Sequence, residues 1–339
     1  MVTIKDIARY AGYSIGTVSR VINNHTDVSE AARKKILAVI DAYNFQPNTN
    51  AKLLKKTTAT EVTIVVKGTN NYFLEALLEE VQKNLKENGE DANVFFLDEL
   101  DDEVEVAIQT LNEAKPKGFI FLGGNLHYFE ERFAEIDVPS VLVSETAETL
   151  DYNNLSSFST DDYEAARAAI DYLVRYGHKK IGVIGGSADR SQGEVGARRL
   201  EGAMHQLEEY KLPFSLENHY EPCRFSMQGG YDAMTKLLKK NREITGVFCL
   251  GDMVAIGALR ACFDQGLKVP DDISVLGFDG IEYTKYSVPR LATVQQNVRE
   301  LAQKSVEDLL WRMNYKREAV HKKIQFRVIT GESMKVIKQ

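Results

Sequence analysis

The sequence predicts a small all-α module followed by a two-lobed α/β body, and three observations carry that expectation. Residues 1–47 hold two short amphipathic helices joined by a Gly-containing turn, then a third helix. From Val62 onward, short β-branched runs alternate with helical stretches, the pattern of a doubly wound parallel sheet. That alternation runs to about Ser159 and then starts again, which predicts two similar lobes with a cleft between them. A chain of 339 residues is too long for one core and suits such a module plus two lobes.

In the N-terminal module, Thr3 is placed to cap a helix over residues 4–11, with Asp6 as a short capping-box partner. Ile4, Ile7, Ala8 and Ala11 share one face of it. Gly12 ends that helix and Ser14 caps the next, over residues 15–23, whose Val18, Val21 and Ile22 point inward. A third helix, residues 29–43, adds Ala32, Ile36, Val39 and Ile40 to close the core. Two helices joined in this way form a helix-turn-helix unit, whose second helix offers Ser14, Ile15, Gly16, Thr17, Ser19, Arg20 and Asn23 to a DNA major groove. Charge agrees with that reading. Residues 1–60 carry nine Lys or Arg against four acids, a net of +5, which leaves −12 for the rest of a chain whose total is −7. A basic module on an acidic body concentrates phosphate attraction in the module.

The body reads, in order, as a strand (VTIVV), a helix at residues 72–88, ANVFFL, a helix at 103–114, GFIFLG, a helix at 127–136 and VPSVLVS. The second round reads as a helix at 162–176, KIGVIGG, helices at 195–210 and 226–240, GVFCLGD, a helix at 253–265 and ISVLGFDG. In open parallel sheets ligands sit outside the carboxyl ends of the strands, so a two-lobed body is expected to hold a small molecule where both sets of ends meet.

The run TIKDIARYAGYSIGTVSRVINNHTDVSEAARKKILAVIDAYNFQPN is similar throughout, without gaps, to the headpiece of the LacI/GalR (lactose and galactose repressor) family. STDDYEAARAAIDYLVRYGHKKIGVIGG, RRLEGA, CLGDMVAIGALRA, VPDDISVLGFDG and LATVQQN resemble the body motifs of the same family. The resemblance implies a periplasmic-binding-protein-like body and an effector-controlled transcriptional regulator, expected to act as a repressor. It implies that Ile15 and Gly16 occupy base-reading positions and that Arg20 reaches a guanine edge. In the segment 48–61, the AxxL spacing resembles the family's hinge helix, with Asn50 among its DNA-binding residues: Leu54 as a minor-groove wedge, Ala51 permitting close helix approach, and Lys52, Lys55 and Lys56 neutralising flanking phosphates.

For the body, 62–339, the resemblance implies three crossings between lobes, near Thr160, residues 289–292 and residues 320–322. Lobe 1 then spans about 62–160 and 292–320, and lobe 2 about 161–289 and 321–339, with KIQFRVITG as a single last strand in lobe 2. Arg199 and Asp279 fall on ligand hydroxyls or ring heteroatoms, with Phe225 and Phe73 stacking from opposite lobes. Asn71, Asp161, Asp252 and Gln296 are further candidates, and Arg199→Ala and Asp279→Ala are both expected to abolish the response to effector while sparing the fold. Gly251 stands where the family commonly has Asn, a departure from its usual sugar contacts. With Phe73 and Phe225 it also resembles the pocket of the purine-responsive members, so a sugar effector and a purine or nucleoside effector both stay open.

Rival functions find little support. There is no Gly-Lys dipeptide of a phosphate loop and no HExxH, and the six histidines lack metal spacing, so neither an enzyme nor a cofactor or metal is expected. A solute-binding protein without DNA activity would lack the basic module. No apolar run is long enough for a membrane helix and MVTIKDIARY is charged, so a cytoplasmic protein is expected. The three cysteines, Cys223, Cys249 and Cys262, are expected to be buried free thiols. With no heptad repeat after the last strand, the expected assembly is a homodimer on an inverted-repeat operator.

Overall fold

The computed structural model of the chain describes residues 9–13, 15–22, 29–42, 61–69, 71–189, 194–315 and 317–337. The chain divides into two units, Met1–Thr58 and Ala59–Gln339. In the first, a helical turn at residues 9–11 ends at Gly12, whose φ of +73° is a left-handed conformation that glycine adopts without penalty. Helices α1 (Ile15–Ile22) and α2 (Glu30–Ala42) follow. Ser29 caps α2, its Oγ accepting from the Ala32 amide at 3.4 Å. Ala11, Val18, Val21 and Ile36 form the buried centre, with Tyr13, Val39 and Ile40 packed against it. The first helix at residues 4–8, Thr3, Ser14, Asn23, and the hinge residues Asn50, Ala51, Lys52, Leu54, Lys55 and Lys56 lie outside the described residues.

The second unit contains two six-stranded sheets. The first uses β1 (Val62–Lys67), β2 (Ala92–Leu97), β3 (Phe119–Leu122), β4 (Ser140–Val143), β5 (Leu155–Thr160) and β11 (His321–Ile324), in the order β11-β5-β4-β3-β1-β2. The second uses β6 (Ile181–Ile184), β7 (Tyr220–Glu221), β8 (Gly246–Cys249), β9 (Ser274–Asp279), β10 (Ala292–Gln295) and β12 (Arg327–Ile329), in the order β12-β10-β9-β8-β6-β7. Every pairing is parallel except β10 with β12. The helices are α3 (Tyr72–Glu87), α4 (Glu103–Ala114), α5 (Leu126–Arg132), α6 (Asp162–Arg175), α7 (Glu194–Glu209), α8 (Leu216–His219), α9 (Met227–Lys240), α10 (Asp252–Asp264) and α11 (Val298–Asn314). Each sheet carries an apolar cluster on both faces, which is why strands such as β1 and β9 are buried along their whole length.

The chain crosses between the sheets after β5, after β10 and between β11 and β12. The first crossing falls where the sequence places it. The second comes later, because Ala292–Gln295 still pairs with β9 and belongs to the second lobe. The third also moves, because KIQFRVITG is two strands: β11 lies parallel to β5 in the first lobe and β12 antiparallel to β10 in the second. Gln325 and Phe326, rather than residues 320–322, make that crossing.

Other elements also depart from the sequence reading. LSSFST looks polar, yet β5 is buried throughout, because its hydroxyls are satisfied by the neighbouring strand. Ser157 Oγ lies 2.8 Å from His321 Nδ1, and Ser156 Oγ accepts from the Val320 amide at 3.0 Å. The helix expected over 127–136 ends at Arg132 and tightens into a 3₁₀ turn, Phe133–Glu135. Cys249 and Cys262 are buried and Cys223 is half-buried; all three are free thiols.

Candidate functional site

The carboxyl ends of both sheets open onto one cavity of about 610 Å³, within the size range of small-molecule pockets. The first lobe lines it from the ends of β1, β2, β3 and β4, and the second from the ends of β6, β7 and β9 and the start of α7. The lobes also touch beside it. Met253 and Ile281 pack in the same cluster as Phe73 and Leu74, and the rings of Tyr72 and Tyr283 stand 4.6 Å apart.

Arg199 is the hub of the second-lobe wall. Its Nε donates to Asp162 Oδ1 at 2.7 Å and its Nη1 to the Leu250 carbonyl at 2.6 Å, with Asp279 Oδ1 at 3.4 Å. The guanidinium lies over the Phe278 ring, 3.7 Å from its centroid, and 6.0 Å from that of Phe225. Among the described residues no acceptor takes Nη2, which is the donor left for a ligand. Arg199 is only 4% exposed and neutralises a buried carboxylate, so it is a structural node as well as a cavity residue. The expectation that Arg199→Ala spares the fold is therefore corrected: the change strands Asp162, whose carboxyl is already pushed up by burial.

Asp279 closes β9 with φ +114°, a conformation that is costly for a residue with a side chain. What holds it there is Asp252. That carboxylate is fully buried, accepts the amides of Gly280 at 2.6 Å and Ile281 at 2.9 Å, and takes the Thr293 hydroxyl at 2.7 Å. Asp252 does not line the cavity and does not cap α10; Gly251 is the N-cap, and Asp252 clamps the turn that aims Asp279. Burial pushes the Asp279 carboxyl up to about 6, opposed by Arg199 and by the Gln296 amide, which donates to Oδ1 at 2.8 Å. Gln296 in turn accepts from Thr160 Oγ1 at 2.7 Å. The site carboxylate is thus hydrogen-bonded into two of the three crossings.

Phe225 explains the departure at Gly251. A Cβ on Gly251 would lie 3.0 Å from Phe225 Cδ1 and 3.5 Å from Asp279 Oδ2, so the ring fills the space of the side chain that the family commonly has there. Phe73 lines the cavity from the first lobe but is only 5% exposed and belongs to the core. Asn71 also lines the cavity, and its Oδ1 caps α3 by accepting from the amides of Phe73 and Leu74 at 3.2 and 3.3 Å. Asp161 is elsewhere: it caps α6 and pairs with Lys323 Nζ at 2.6 Å, at the first crossing. The structure therefore gathers Asn71, Phe73, Arg199, Phe225 and Asp279 at the cavity and leaves Asp161, Asp252 and Gln296 out of its lining.

Two charged pairs at the cavity were not foreseen. Lys67, at the end of β1, is ion-paired with buried Glu103, donates to the Asp101 carbonyl at 2.8 Å and lies over the Tyr128 ring at 4.6 Å. Arg224 of the second lobe reaches across the mouth to Glu99 of the first, Nε to Oε1 at 2.9 Å. A Lys at the end of an apolar strand was the available signal for the first pair. The second joins residues 125 positions apart on different lobes, and no local pattern marks it. In the headpiece, Ile15, Gly16, Thr17, Ser19 and Arg20 all fall on α1, with Arg20 exposed and Thr17 half-buried.

Comparison with known proteins adds the context for these two sites. Residues 3–48 match the family model for bacterial regulatory proteins of the lacI family, and residues 170–334 match that of a periplasmic binding protein-like domain. The HTH-type transcriptional regulator MalR of Clostridium butyricum is 36% identical over 313 residues, which cover 90% of each chain. The chain belongs to the lacI family. It is a DNA-binding transcriptional regulator, and the reading as a solute-binding protein without DNA activity falls to the headpiece match. Among solved structures similar to this lacI-family chain, a transcriptional regulator CelR-cellobiose complex gives a TM-score of 0.71 at 24% identity, over 98% of this chain and 100% of that one. The lac repressor dimer bound to operator and the anti-inducer ONPF gives 0.68 at 23%, over 98% and 99%. At these identities the likeness concerns the fold. No helix among the described residues is long and apolar enough to cross a membrane, and none of their His, Cys, Asp and Glu groups is arranged to hold a metal ion.

Proposed function

We propose that the chain is a repressor whose homodimer holds an inverted-repeat operator, one headpiece on each half, and whose affinity for it is set by a sugar or sugar derivative in the cleft. The observation that carries the effector class is the Arg199–Asp279 pair at the cavity with Phe225 beside it. A guanidinium donor next to a carboxylate acceptor reads a hydroxyl as both acceptor and donor, and an aromatic wall covers the apolar face of a sugar ring. The CelR neighbour was solved with cellobiose, which fits this reading of the shared fold.

Coupling follows from the crossings. A ligand that engages Asp279 competes with Gln296 for the same carboxylate, and Gln296 also holds Thr160, so occupancy acts on two crossings at once. A ligand changes DNA affinity only through different affinities for the two lobe arrangements. On the DNA side, Arg20 reads a base edge, Ile15, Gly16, Thr17 and Ser19 lie along the groove, and Thr3, Ser14 and Asn23 contact the backbone. Asn50, Ala51, Lys52, Leu54 and Lys55 form the minor-groove hinge.

Thermal-shift measurements on the full chain against sugars, sugar phosphates and purines test the effector class, because a ligand that binds only the native state raises its melting temperature. Stabilisation by saccharides that is lost in Asp279→Asn supports the proposal. Stabilisation by hypoxanthine or guanine and by no saccharide replaces it with the purine reading.

A further inference from the structure

The cleft has a hinge edge and a free edge. The crossings leave from β5, β10 and β11, which lie toward one end of each sheet, and β2 and β7 are the strands at the other end. Glu99 stands just after β2 and Arg224 just after β7, so their ion pair, Nε to Oε1 at 2.9 Å, joins the two lobes at the edge farthest from the hinge. From β5 to β2 and from β10 to β7 there are four strand spacings, about 19 Å at about 4.8 Å each. An opening rotation of about 10° at the crossings moves side chains at the end of such an arm by about 3 Å, which takes this pair beyond hydrogen-bonding distance. The contacts of Tyr72 with Tyr283 and of Phe73 and Leu74 with Ile281 follow β1 and β9, strands closer to the crossings, and part less.

Exposed ion pairs are weak because two long side chains must be fixed and because salt screens them, and here the Arg224 side chain is 57% exposed and that of Glu99 32%. Both partners, however, stand on loops that their own lobe already holds. Lys67 donates to the Asp101 carbonyl at 2.8 Å, and Asp101 Oδ2 accepts the Asp98 amide at 2.9 Å. On the other side the Cys223 amide donates to the Gly186 carbonyl at 3.1 Å, and the Ser226 amide to that of Arg224 at 2.8 Å. The guanidinium also has a second carboxylate, Asp98, at 3.8 Å. The same polarity recurs nearer the hinge, where Arg198 of the second lobe stands 3.9 Å from Glu145 of the first. We propose that Glu99 and Arg224 form an ionic latch on the free edge of the cleft, which holds the lobes in the arrangement where they touch and sets how readily they part. A pair of this exposure shifts a two-state balance a few-fold, and that shift moves the threshold at which a ligand with different affinities for the two arrangements acts. The latch does not depend on what the cleft binds.

Double electron–electron resonance on the full chain reads the distance across the free edge, with spin labels on cysteines introduced at the exposed Gln109 of α4 and Lys236 of α9 and the labelled chain diluted with unlabelled chain. Cys249 and Cys262 are buried, and burial pushes the Cys223 thiol up to about 12, so the native cysteines stay unlabelled at neutral pH. The expected result is a longer distance whose population rises at least threefold in Arg224→Gln. It should rise less in Glu99→Gln, where Asp98 still faces the guanidinium, and Arg224→Lys, which keeps the charge, should stay close to the parent. Raising NaCl from about 0.1 M to about 1 M shortens the Debye length from about 10 Å to about 3 Å, which should open the parent and leave Arg224→Gln unchanged. Arg175→Gln, which breaks an ion pair within α6, is the control and should match the parent. A distance distribution that is the same in the parent and Arg224→Gln at both salt concentrations overturns the latch, as does an Arg224→Lys protein that opens as far as Arg224→Gln. No ligand enters the measurement, so the sugar reading stands or falls separately.

Discussion

Burial sets the working pH of the cleft. Asp279 titrates at about 6, above an ordinary aspartate near 3.9, because desolvation outweighs its partners. A folded-state pKa raised above the unfolded value means that the protonated form suits the fold: the stabilising contribution is full below about pH 4 and is lost as pH rises through about 6. Function runs the other way, since the ionised carboxylate is the acceptor a sugar hydroxyl needs. Saccharide affinity should therefore be level above pH 7 and fall about tenfold for each unit below 6, and Asp279→Asn should be no less stable than the parent at pH 7 while failing to bind. Titration calorimetry from pH 5 to 8 with thermal melts of both proteins checks this. Affinity independent of pH would remove Asp279 from the ligand. Arg199 and Asp279 were legible because they stand in recognisable runs, RRLEG and GFDG. Their surroundings were not: only the folded chain shows Asp252 clamping the turn and Phe225 occupying the space above Gly251.

Elements were legible where burial leaves a periodic trace. Strands β1, β3 and β9 are buried on both faces and read as continuous apolar runs; α3 and α4 read from their apolar stripes. Strand β5 hid because hydroxyls paired to β11 replace hydrocarbon, and the break inside KIQFRVITG hid because nothing local says that a strand changes sheet. In the proposed function residues 48–61 are the hinge through which the ligand acts, and a segment of about seven residues is too short to stay helical alone in water. If Leu54 wedges a base step, Leu54→Ala weakens specific binding by about 1–3 kcal/mol and leaves non-specific binding nearly unchanged, because only the specific complex bends the duplex. Lys55→Ala instead weakens binding to all sequences and lowers the salt slope by about one unit. Anisotropy titrations on specific and random duplexes over a salt series separate the two. Equal losses on both duplexes for Leu54→Ala would make the segment a plain linker.

At the scale of the whole molecule, the proposed homodimer needs a surface for a second copy, and exposed aromatic side chains on β2 and α10 are candidates for it. Phe95 and Phe96 are 37% and 54% exposed on β2, an edge strand, and Phe263 on α10 is 72% exposed. Edge strands with exposed aromatic side chains are avoided in monomers unless something covers them. Light scattering at micromolar concentration should give a dimer mass, and Phe96→Glu should shift it toward the monomer with the circular dichroism spectrum unchanged; a stable monomer in the parent chain would contradict the dimeric reading. The acidic body and basic headpiece assign DNA attraction to the first 60 residues, and the cleft lies wholly in the second unit, so regulation requires that a ligand bound in one unit change the affinity of the other. One titration examines that link directly: the full chain against an inverted-repeat duplex selected from a random pool, with and without the saccharide that best raises its melting temperature, in the parent and in Asp279→Asn. Sequence-specific, salt-sensitive binding that shifts at least fivefold with saccharide in the parent and stays constant in Asp279→Asn is the expected result. Binding indifferent to sequence, or a saccharide effect that survives Asp279→Asn, would contradict it.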